Sequence, residues 1–187
     1  MSEGGEKRLF EQSKTKRFER IVAPHIAAAY NLARWLLQND QDAEDVVQET
    51  CLLAYKHLDF LRGEEARAWL LKIARNESYD WLRRNKPMAL NVSLDERNIE
   101  LSCESHNPEQ LAMLAADSKL LREGLGNLPL EFRETLVLRE LEGFNYKEIA
   151  EMIDIPIGTV MSRLARGRKR LQGWLISRMS EEMKDGL

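Results

Sequence analysis

The stretch 146–172, YKEIAEMIDIPIGTVMSRLARGRKRLQ, constrains the fold more than any other segment of the chain. Ile149 and Ile153 form a single apolar side at helical spacing in its first eight residues. Asp154 is one of the few non-glycine residue types that tolerate a positive φ, and Pro156 fits the first turn of a following helix. The pattern therefore predicts two helices joined by a tight turn.

The second of these helices has two contrasting sides. An apolar stripe repeats at helical spacing and consists of Val160, Leu164, Gly167 and Leu171. The other side carries a polar, cationic set that we call the basic arc: Thr159, Ser162, Arg163, Arg166, Lys169 and Arg170. No acidic residue interrupts this arc between its first and last arginine. Such a pair of sides is typical of a helix-turn-helix whose second helix enters the major groove of DNA, and we expect DNA binding here rather than a merely solvated charged helix.

Composition limits the class of protein. The chain has 187 residues and a formal net charge of −3, so its affinity for DNA must come from local patches and should be sensitive to salt. It has no apolar run near the length of a membrane span and no signal-peptide pattern, which predicts a cytoplasmic protein. Cys51 and Cys103 match no zinc spacing and are expected to be unpaired thiols.

The sequence also gives no sign of an enzyme. Its three histidines are scattered, and it contains no HExxH motif, no glycine-rich phosphate loop and no nucleophile elbow. We therefore expect no catalytic residue, no metal ligand and no cofactor.

Helical periodicity organises the rest of the chain. We expect helices over Phe18–Leu37, Asp42–Leu61, Ala66–Asn85, 108–128 and Leu130–Leu141, followed by the helix-turn-helix. No strand-like alternation is present, so the predicted fold is all-α: two small helical bundles joined by a flexible linker, the C-terminal bundle containing the helix-turn-helix. The predicted boundaries are a disordered tail 1–16, a first domain 17–86, a linker 87–107, a second domain 108–177 and a C-terminal tail 178–187.

The helix predicted to begin at Asp42 carries an acid-rich outer side around an apolar residue. We call this set the acidic stripe: Asp42, Asp45, Gln48, Glu49 and Leu52. Acidic surfaces that include an exposed leucine often bind partners. Single exposed leucines are also normal on solvated surfaces, so the residues alone leave a protein-docking site and an ordinary surface equally open.

The helix over Ala66–Asn85 carries cations, an amide and an aromatic ring on one side, and we call this set the mixed arc: Lys72, Arg75, Asn76, Tyr79 and Arg83. Charge that follows a phosphate backbone and a ring that stacks on a base suit single-stranded nucleic acid. A basic face with long side chains lying along the surface is the simpler interpretation of these residues alone. Glu77, at the margin of the inward side, fits neither interpretation.

Three stretches resemble the extracytoplasmic-function (ECF) group of bacterial RNA polymerase sigma factors. They are DAEDVVQETCLLAYKHLDFLRG (Asp42–Gly63), AWLLKIARNESYDWLRR (Ala68–Arg84) and LPLEFRETLVLRELEGFNYKEIAEMIDIPIGTVMSRLARGRKRL (Leu128–Leu171). The first two resemble region two of these factors and the third resembles region four. The motifs DAEDVVQE and GTVMSRL, in this order and separation, are specific to the group.

The resemblance implies a role for each surface. The acidic stripe would dock on the clamp coiled coil of the polymerase's largest subunit. The mixed arc and the loop residues Leu61, Arg62 and Gly63 would open the minus-ten promoter element and hold an unpaired base, and the basic arc would bind the minus-thirty-five element as duplex. Met161 and Ala165 stand where some members carry arginine and a bulky side chain.

The partners that the resemblance implies are core RNA polymerase, promoter DNA and an anti-sigma factor. The linker 87–107 would pass through the polymerase toward the RNA exit channel. An alternative is a helix-turn-helix regulator whose N-terminal bundle senses a signal or forms a dimer, and which binds DNA without being a polymerase subunit. Tight duplex binding by the isolated protein would favour that alternative.

Overall fold

The structure is a computed structural model that describes the backbone of residues 3–61, 65–86 and 118–185, with side chains over 11–61, 65–86 and 120–178. Every regular element within these ranges is helical, which confirms the predicted all-α class. The chain divides into two compact units, Met1–Pro87 and Met88–Leu187. The predicted linker 87–107 and the helix start predicted after it lie outside the described residues.

The first unit is built on three mutually packed helices. Its elements are α1 (Glu3–Ile21), a 3-10 turn (Ala23–His25), α2 (Ile26–Leu37), α3 (Asp40–Lys56), a second 3-10 turn (Leu58–Phe60) and α4 (Ala66–Asn85). Each pair among α2, α3 and α4 is in contact. The buried apolar positions include most of those expected from the periodicity: Val22, Ala29, Ala54, Leu58, Leu61, Leu70 and Ala74.

The first predicted helix of this unit is broken in the structure. In place of one helix over Phe18–Leu37, α1 and α2 are separated by the 3-10 turn that contains Pro24. Proline lacks the N–H that a helix interior requires, and its ring clashes with the carbonyl four residues earlier. The apolar spacing continues across the break because both helices pack on the same core, so periodicity alone did not reveal it.

Residues 1–16 differ from the expected disordered tail, because α1 covers most of them. Lys14 Nζ lies 3.0 Å from Asp59 Oδ2, and Thr15 Oγ1 lies 3.0 Å from the hydroxyl of Tyr55. These polar side chains thus find partners about forty residues away in the sequence, contacts that local composition does not indicate. Helix α1 therefore runs through the segment predicted to be a tail, and the segment lies within the first compact unit.

The second unit is organised around one long helix. Its elements are α5 (Ser118–Gly126), α6 (Leu130–Leu136), a π-helical turn (Val137–Leu141), α7 (Tyr146–Ile153) and α8 (Ile157–Asp185). Helix α8 contacts α5, α6 and α7, and all four residues of its predicted apolar stripe are buried. The helix also continues through most of the predicted C-terminal tail 178–187.

The turn of the helix-turn-helix follows the local chemistry of its residues. Asn145 caps α7 by accepting hydrogen bonds from the backbone N–H groups of Lys147 and Glu148, both at 3.0 Å, and Glu148 completes the capping box. At the other end of α7, Asp154 has φ of +56°. The predicted positive φ is therefore confirmed, and it turns the chain directly into α8.

Gly167 allows α8 to cross α6 closely. A Cβ built on Gly167 would lie 3.0 Å from Leu136 Cδ1 and 3.4 Å from Phe132 Cβ. Contacts this short require the neighbouring side chains to move, and well-packed cores resist such movement. The glycine in the predicted stripe thus sets the distance between the two helices.

We expect Gly167→Ala to destabilise the protein by about 1–3 kcal/mol, because the added methyl group overpacks the contact between α8 and α6. Thermal denaturation of the full chain measures the effect. Gly173→Ala is the matched control, since a Cβ built there meets nothing within 4 Å, and it should leave stability unchanged or raise it by up to about 1 kcal/mol. Equal denaturation midpoints for Gly167→Ala and Gly173→Ala would contradict the close crossing of α8 over α6.

Candidate functional site

The basic arc lies on the side of α8 opposite its buried stripe. Val160 and Leu164 are almost fully buried and fix the rotation of the helix about its axis. Lys169 and Arg170 are exposed, and the other four members of the arc are half-buried. Arg170 also places its guanidinium carbon 5.2 Å from the ring centre of Phe132 on α6. The structure therefore presents the arc as one cationic surface on a rigid helix.

Arg163 carries a hydrogen-bond donor that the described residues leave unused. Its Nε is buried and has no hydrogen-bond partner there. A buried N–H without an acceptor costs free energy, and such groups in native proteins call for an explanation. An acceptor brought by a ligand, such as a phosphate oxygen, would remove this cost.

A network that sequence reasoning missed holds α8 to the start of α7. Arg168 Nε and Nη2 donate to the same oxygen of Glu140 at 3.1 and 2.5 Å, and Arg139 places its guanidinium carbon 5.1 Å from the ring centre of Tyr146. Burial alone would lower the pKa of Arg168, but the hydrogen bonds and charge of Glu140 and Tyr146 raise it instead. The network joins residues twenty-eight positions apart, a separation that helical periodicity does not indicate.

The acidic stripe is on the surface of α3, as predicted. Asp45, Gln48 and Glu49 are exposed, and Leu52 is 66% exposed even though it is apolar. Asp42, at the first turn of the helix, is half-buried, and its carboxylate lies 3.9 Å from Lys86 Nζ. The exposed negative charge of the stripe is therefore concentrated at Asp45 and Glu49, on the side of the helix that exposes Leu52.

Glu77 extends this negative surface onto α4. The pKa of Glu77 is raised, first by its partial burial and then by the negative charges of Asp80 and Glu49, while Arg84 acts in the opposite direction. The helices that carry Glu77 and Glu49 pack against each other, so the charge of Glu49 acts on Glu77. The apolar pattern of the sequence placed Glu77 at the margin of the core. Only the packing of α3 against α4 relates Glu77 to the acidic stripe.

The mixed arc is confirmed as one side of α4, and its centre is a compact cluster. Arg75 stacks on Tyr79, with its guanidinium carbon 4.5 Å from the ring centre, and its Nη1 donates to Asn76 Oδ1 at 3.3 Å. Lys72 is exposed one turn earlier. Arg83, at the far end, forms an ion pair with Asp80. The arc thus combines an aromatic ring with cationic and amide groups, most densely in its first two turns, from Lys72 to Tyr79.

Leu61 ends the helix predicted over Asp42–Leu61 and begins the loop expected to contact the minus-ten element. Its side chain is buried in the core of the first unit, and its carbonyl accepts a hydrogen bond from Arg17 Nη2 at 2.9 Å. Arg62 and Gly63, the two loop residues named with it, lie outside the described residues. The neighbouring Phe60, which the sequence did not single out, is 76% exposed.

Neither a metal centre nor a membrane span is found in the described ranges of the chain. Those residues contain no group of three or more His, Cys, Asp or Glu side chains placed to hold a metal ion. No helix among them is long and apolar enough to cross a bilayer. Cys51 is half-buried, and burial raises the pKa of its thiol, which is the opposite of what a reactive cysteine requires.

Comparison with protein families matches both units. The model of Sigma-70 region 2 matches residues 21–87, and the model of Sigma-70 region 4 matches residues 118–171. The first match covers the acidic stripe and the mixed arc. The second covers the helix-turn-helix and the basic arc.

Individual relatives agree with these matches. The chain is 33% identical over 174 residues to the ECF RNA polymerase sigma factor SigE of Mycolicibacterium smegmatis, covering 91% of this chain and 66% of that protein. It is 32% identical over 170 residues to the ECF RNA polymerase sigma-E factor of Haemophilus influenzae, covering 87% of this chain and 89% of that one.

Solved structures give the same result. The sigma factor RpoE of Bartonella quintana, in complex with the anti-sigma factor NepR, is similar with a TM-score of 0.67 and 28% identity, over 86% of this chain and 97% of that one. CnrH, in complex with the cytosolic domain of CnrY, shares the fold with a TM-score of 0.62 and 24% identity, over 91% of this chain and 97% of that one.

We expect Glu77→Gln to raise the thermal midpoint at neutral pH. If the pKa of a carboxyl group is higher in the folded than in the unfolded state, its charged form is disfavoured in the fold. The free energy of unfolding of the protein therefore falls as pH rises through those two pKa values. The advantage of the variant should therefore shrink as pH falls through the raised pKa of Glu77 and be lost below about 4.3, the ordinary pKa of glutamate.

Denaturation midpoints measured at a series of pH values test this expectation. Glu44→Gln, at an exposed position of α3, is the control and should change the midpoint less at neutral pH. A midpoint of Glu77→Gln below that of the original chain at neutral pH would contradict the assigned environment.

Proposed function

Because the chain belongs to the ECF group of RNA polymerase sigma factors, we propose that it binds core RNA polymerase and directs promoter-specific initiation of transcription. Members of this family are transcription initiation factors, and we assign the chain no catalytic step of its own. The observation that carries the proposal is the separation of charge between units: an acidic surface with an exposed leucine on the first, and a basic helix-turn-helix on the second.

The acidic stripe is the proposed polymerase-binding surface. Its exposed Asp45 and Glu49 lie about two turns and one turn before Leu52 on the same side of α3, an arrangement in which charge guides encounter and an apolar side chain provides contact area that a partner can bury. Glu77 adds negative charge beside Glu49. We propose that this surface docks on the clamp coiled coil of the polymerase's largest subunit, and that Asp42 contributes less because Lys86 lies near it.

The mixed arc is the proposed site for the unpaired strand of the minus-ten element. Base–aromatic stacking stabilises single-stranded nucleic acid by about 1–3 kcal/mol per base, and extrusion of a base costs a few kcal/mol. Tyr79 provides a ring, while Arg75 and Lys72 provide positive charge beside it. We propose Arg62 and Gly63 as further contacts from the loop, and we assign Leu61 the role of holding that loop in place.

The basic arc is the proposed site for the minus-thirty-five element as duplex. The second helix of a helix-turn-helix enters the major groove, where arginine and lysine contact phosphates and base edges. Arg163 and Arg166 are only half-buried, so each side chain keeps exposed surface for such a contact. The fixed rotation of α8 supports the arc as one continuous DNA-facing surface.

An anti-sigma factor is a further proposed partner. The Bartonella quintana relative was solved in complex with the anti-sigma factor NepR, and the same class of partner suits a chain with two exposed binding surfaces of opposite charge. We place the protein in the cytoplasm, where core polymerase and promoter DNA are both present. For the linker 87–107 we propose the path through the polymerase toward the RNA exit channel.

Run-off transcription with purified core polymerase and a promoter library tests the proposed function. The chain should enable defined transcripts from a subset of promoters, and core polymerase without it should not. A helix-turn-helix regulator acting outside the polymerase would instead bind duplex tightly alone and leave core polymerase unable to initiate.

We expect the double variant Asp45→Lys, Glu49→Lys to bind core polymerase at least about tenfold more weakly, because like charges would then face each other at the docking surface. Fluorescence titration of labelled chain with core polymerase measures this, and the difference should shrink at high salt. The charge-matched control is Glu11→Lys, Glu19→Lys, which reverses two exposed charges on α1. Equal affinities of the two double variants would contradict the assigned surface.

We expect Arg166→Ala to weaken holoenzyme binding to promoter duplex by about 1–3 kcal/mol if the side chain contacts a base edge. If Arg166 contacts a phosphate instead, the variant should lose affinity for all sequences by the same factor. The slope of log affinity against log salt concentration should then decrease by about one. Gel-shift titrations at several salt concentrations distinguish these modes. Arg122→Ala, at an exposed position of α5, is the control, and affinities indistinguishable from it would contradict a role for Arg166.

A further inference from the structure

The recognition helix α8 exposes two large apolar side chains beside its basic arc. Ile157 is 49% exposed and Met161 is 53% exposed, one turn further along the helix. Ala165, one more turn along, is half-buried. These three residues follow one another at i, i+4 and i+8 and therefore form a continuous line on one side of the helix, which we call the apolar strip.

The apolar strip adjoins the residues proposed to face DNA. The strip reaches the basic arc through Ala165, which lies three residues after Ser162 and four residues before Lys169 and so neighbours both on the helix surface. Ser162 Oγ donates a hydrogen bond to the carbonyl of Thr159 at 3.0 Å. The first turns of a recognition helix are the region that contacts base edges. The strip thus continues the DNA-facing surface at the end where bases are recognised.

Gly158, inside the first turn of the strip, is not required by the packing of the protein. A Cβ built on it meets nothing within 4 Å, in contrast to Gly167, where the same construction meets Leu136 at 3.0 Å. Glycine is unfavourable in helices relative to alanine, and it commonly marks a place where another backbone or a ligand approaches closely. The open space beside Ile157 and Met161 therefore fits a partner from outside the chain.

The chemistry of these side chains selects one feature of the major groove. Neither isoleucine nor methionine can donate a hydrogen bond to the acceptors of guanine or adenine, or accept one strongly from cytosine. The apolar group that base pairs present in the major groove is the C5-methyl of thymine, and apolar side chains contact it. Methionine is flexible and polarizable, so it adapts to such a contact.

We propose that the apolar strip, with Met161 at its centre, recognises thymine methyl groups in the minus-thirty-five element, while the basic arc holds the adjacent phosphates. This inference rests on the proposed function and adds the base preference of the recognition helix. It predicts thymine at one or more positions facing the first two turns of α8, where an arginine at position 161 would favour guanine instead.

Deoxyuridine substitution isolates the methyl group. A promoter is first selected by the wild-type holoenzyme from a library randomised over the upstream element, and each thymine of that element is then replaced by deoxyuridine, which lacks only the methyl. At one or more positions the wild-type holoenzyme should lose affinity about three- to fourfold, the effect of one buried methyl group. Met161→Ala should bind the two forms equally at that position, and Met161→Leu should retain the difference.

Ile176→Ala is the control, because Ile176 is 51% exposed on the same helix but lies outside the strip, and it should keep the wild-type difference. The proposal is overturned if no thymine-to-deoxyuridine change affects the wild-type holoenzyme, or if Met161→Ala retains the full difference. It is also overturned if Met161→Ala weakens only binding to core polymerase, which would make the strip a protein contact. A wild-type holoenzyme that selects no sequence at all would instead refute the proposed function itself.

Discussion

The close crossing of α8 over α6 at Gly167 is the constraint on which the second unit depends. It allows the stripe of Val160, Leu164 and Leu171 to be buried, and a helix with one buried side has only one rotation about its axis. That rotation presents the basic arc outward. The hydrogen bonds from Arg168 to Glu140 then fix the helix relative to the π-helical turn that follows α6. DNA recognition by this unit is therefore a consequence of how tightly its core is packed.

The first unit uses the same kind of helix packing to present two different surfaces. Its core leaves one side of α3 negative and apolar and one side of α4 positive and aromatic, so a single small bundle presents surfaces for two unlike ligands. Glu77 shows the cost of this arrangement, because partial burial and the nearby charge of Glu49 raise the pKa of its carboxyl group. The charges of the proposed docking surface are thus retained although they do not favour folding.

Much of this architecture follows from local sequence patterns. Where the structure differs from the predictions, each difference has a physical reason. The buried stripes, the turn at Asp154 and the bounds of α4 were predictable because periodicity, backbone preference and helix ends are local properties. The break at Pro24, the ordered α1 and the network around Arg168 were not, since each depends on contacts between distant residues. Met161 was noted only as a departure from related sequences, and its exposure became meaningful once the rotation of α8 was known.

The central claim is that the two units act together, one on polymerase and the other on promoter DNA. Retention of a selected promoter duplex by the chain alone, by core polymerase alone and by the two combined tests this most directly, with scrambled duplex as competitor. Sequence-specific retention of the duplex is expected only when the chain and core polymerase are both present. Equally tight and specific retention by the isolated chain would contradict it.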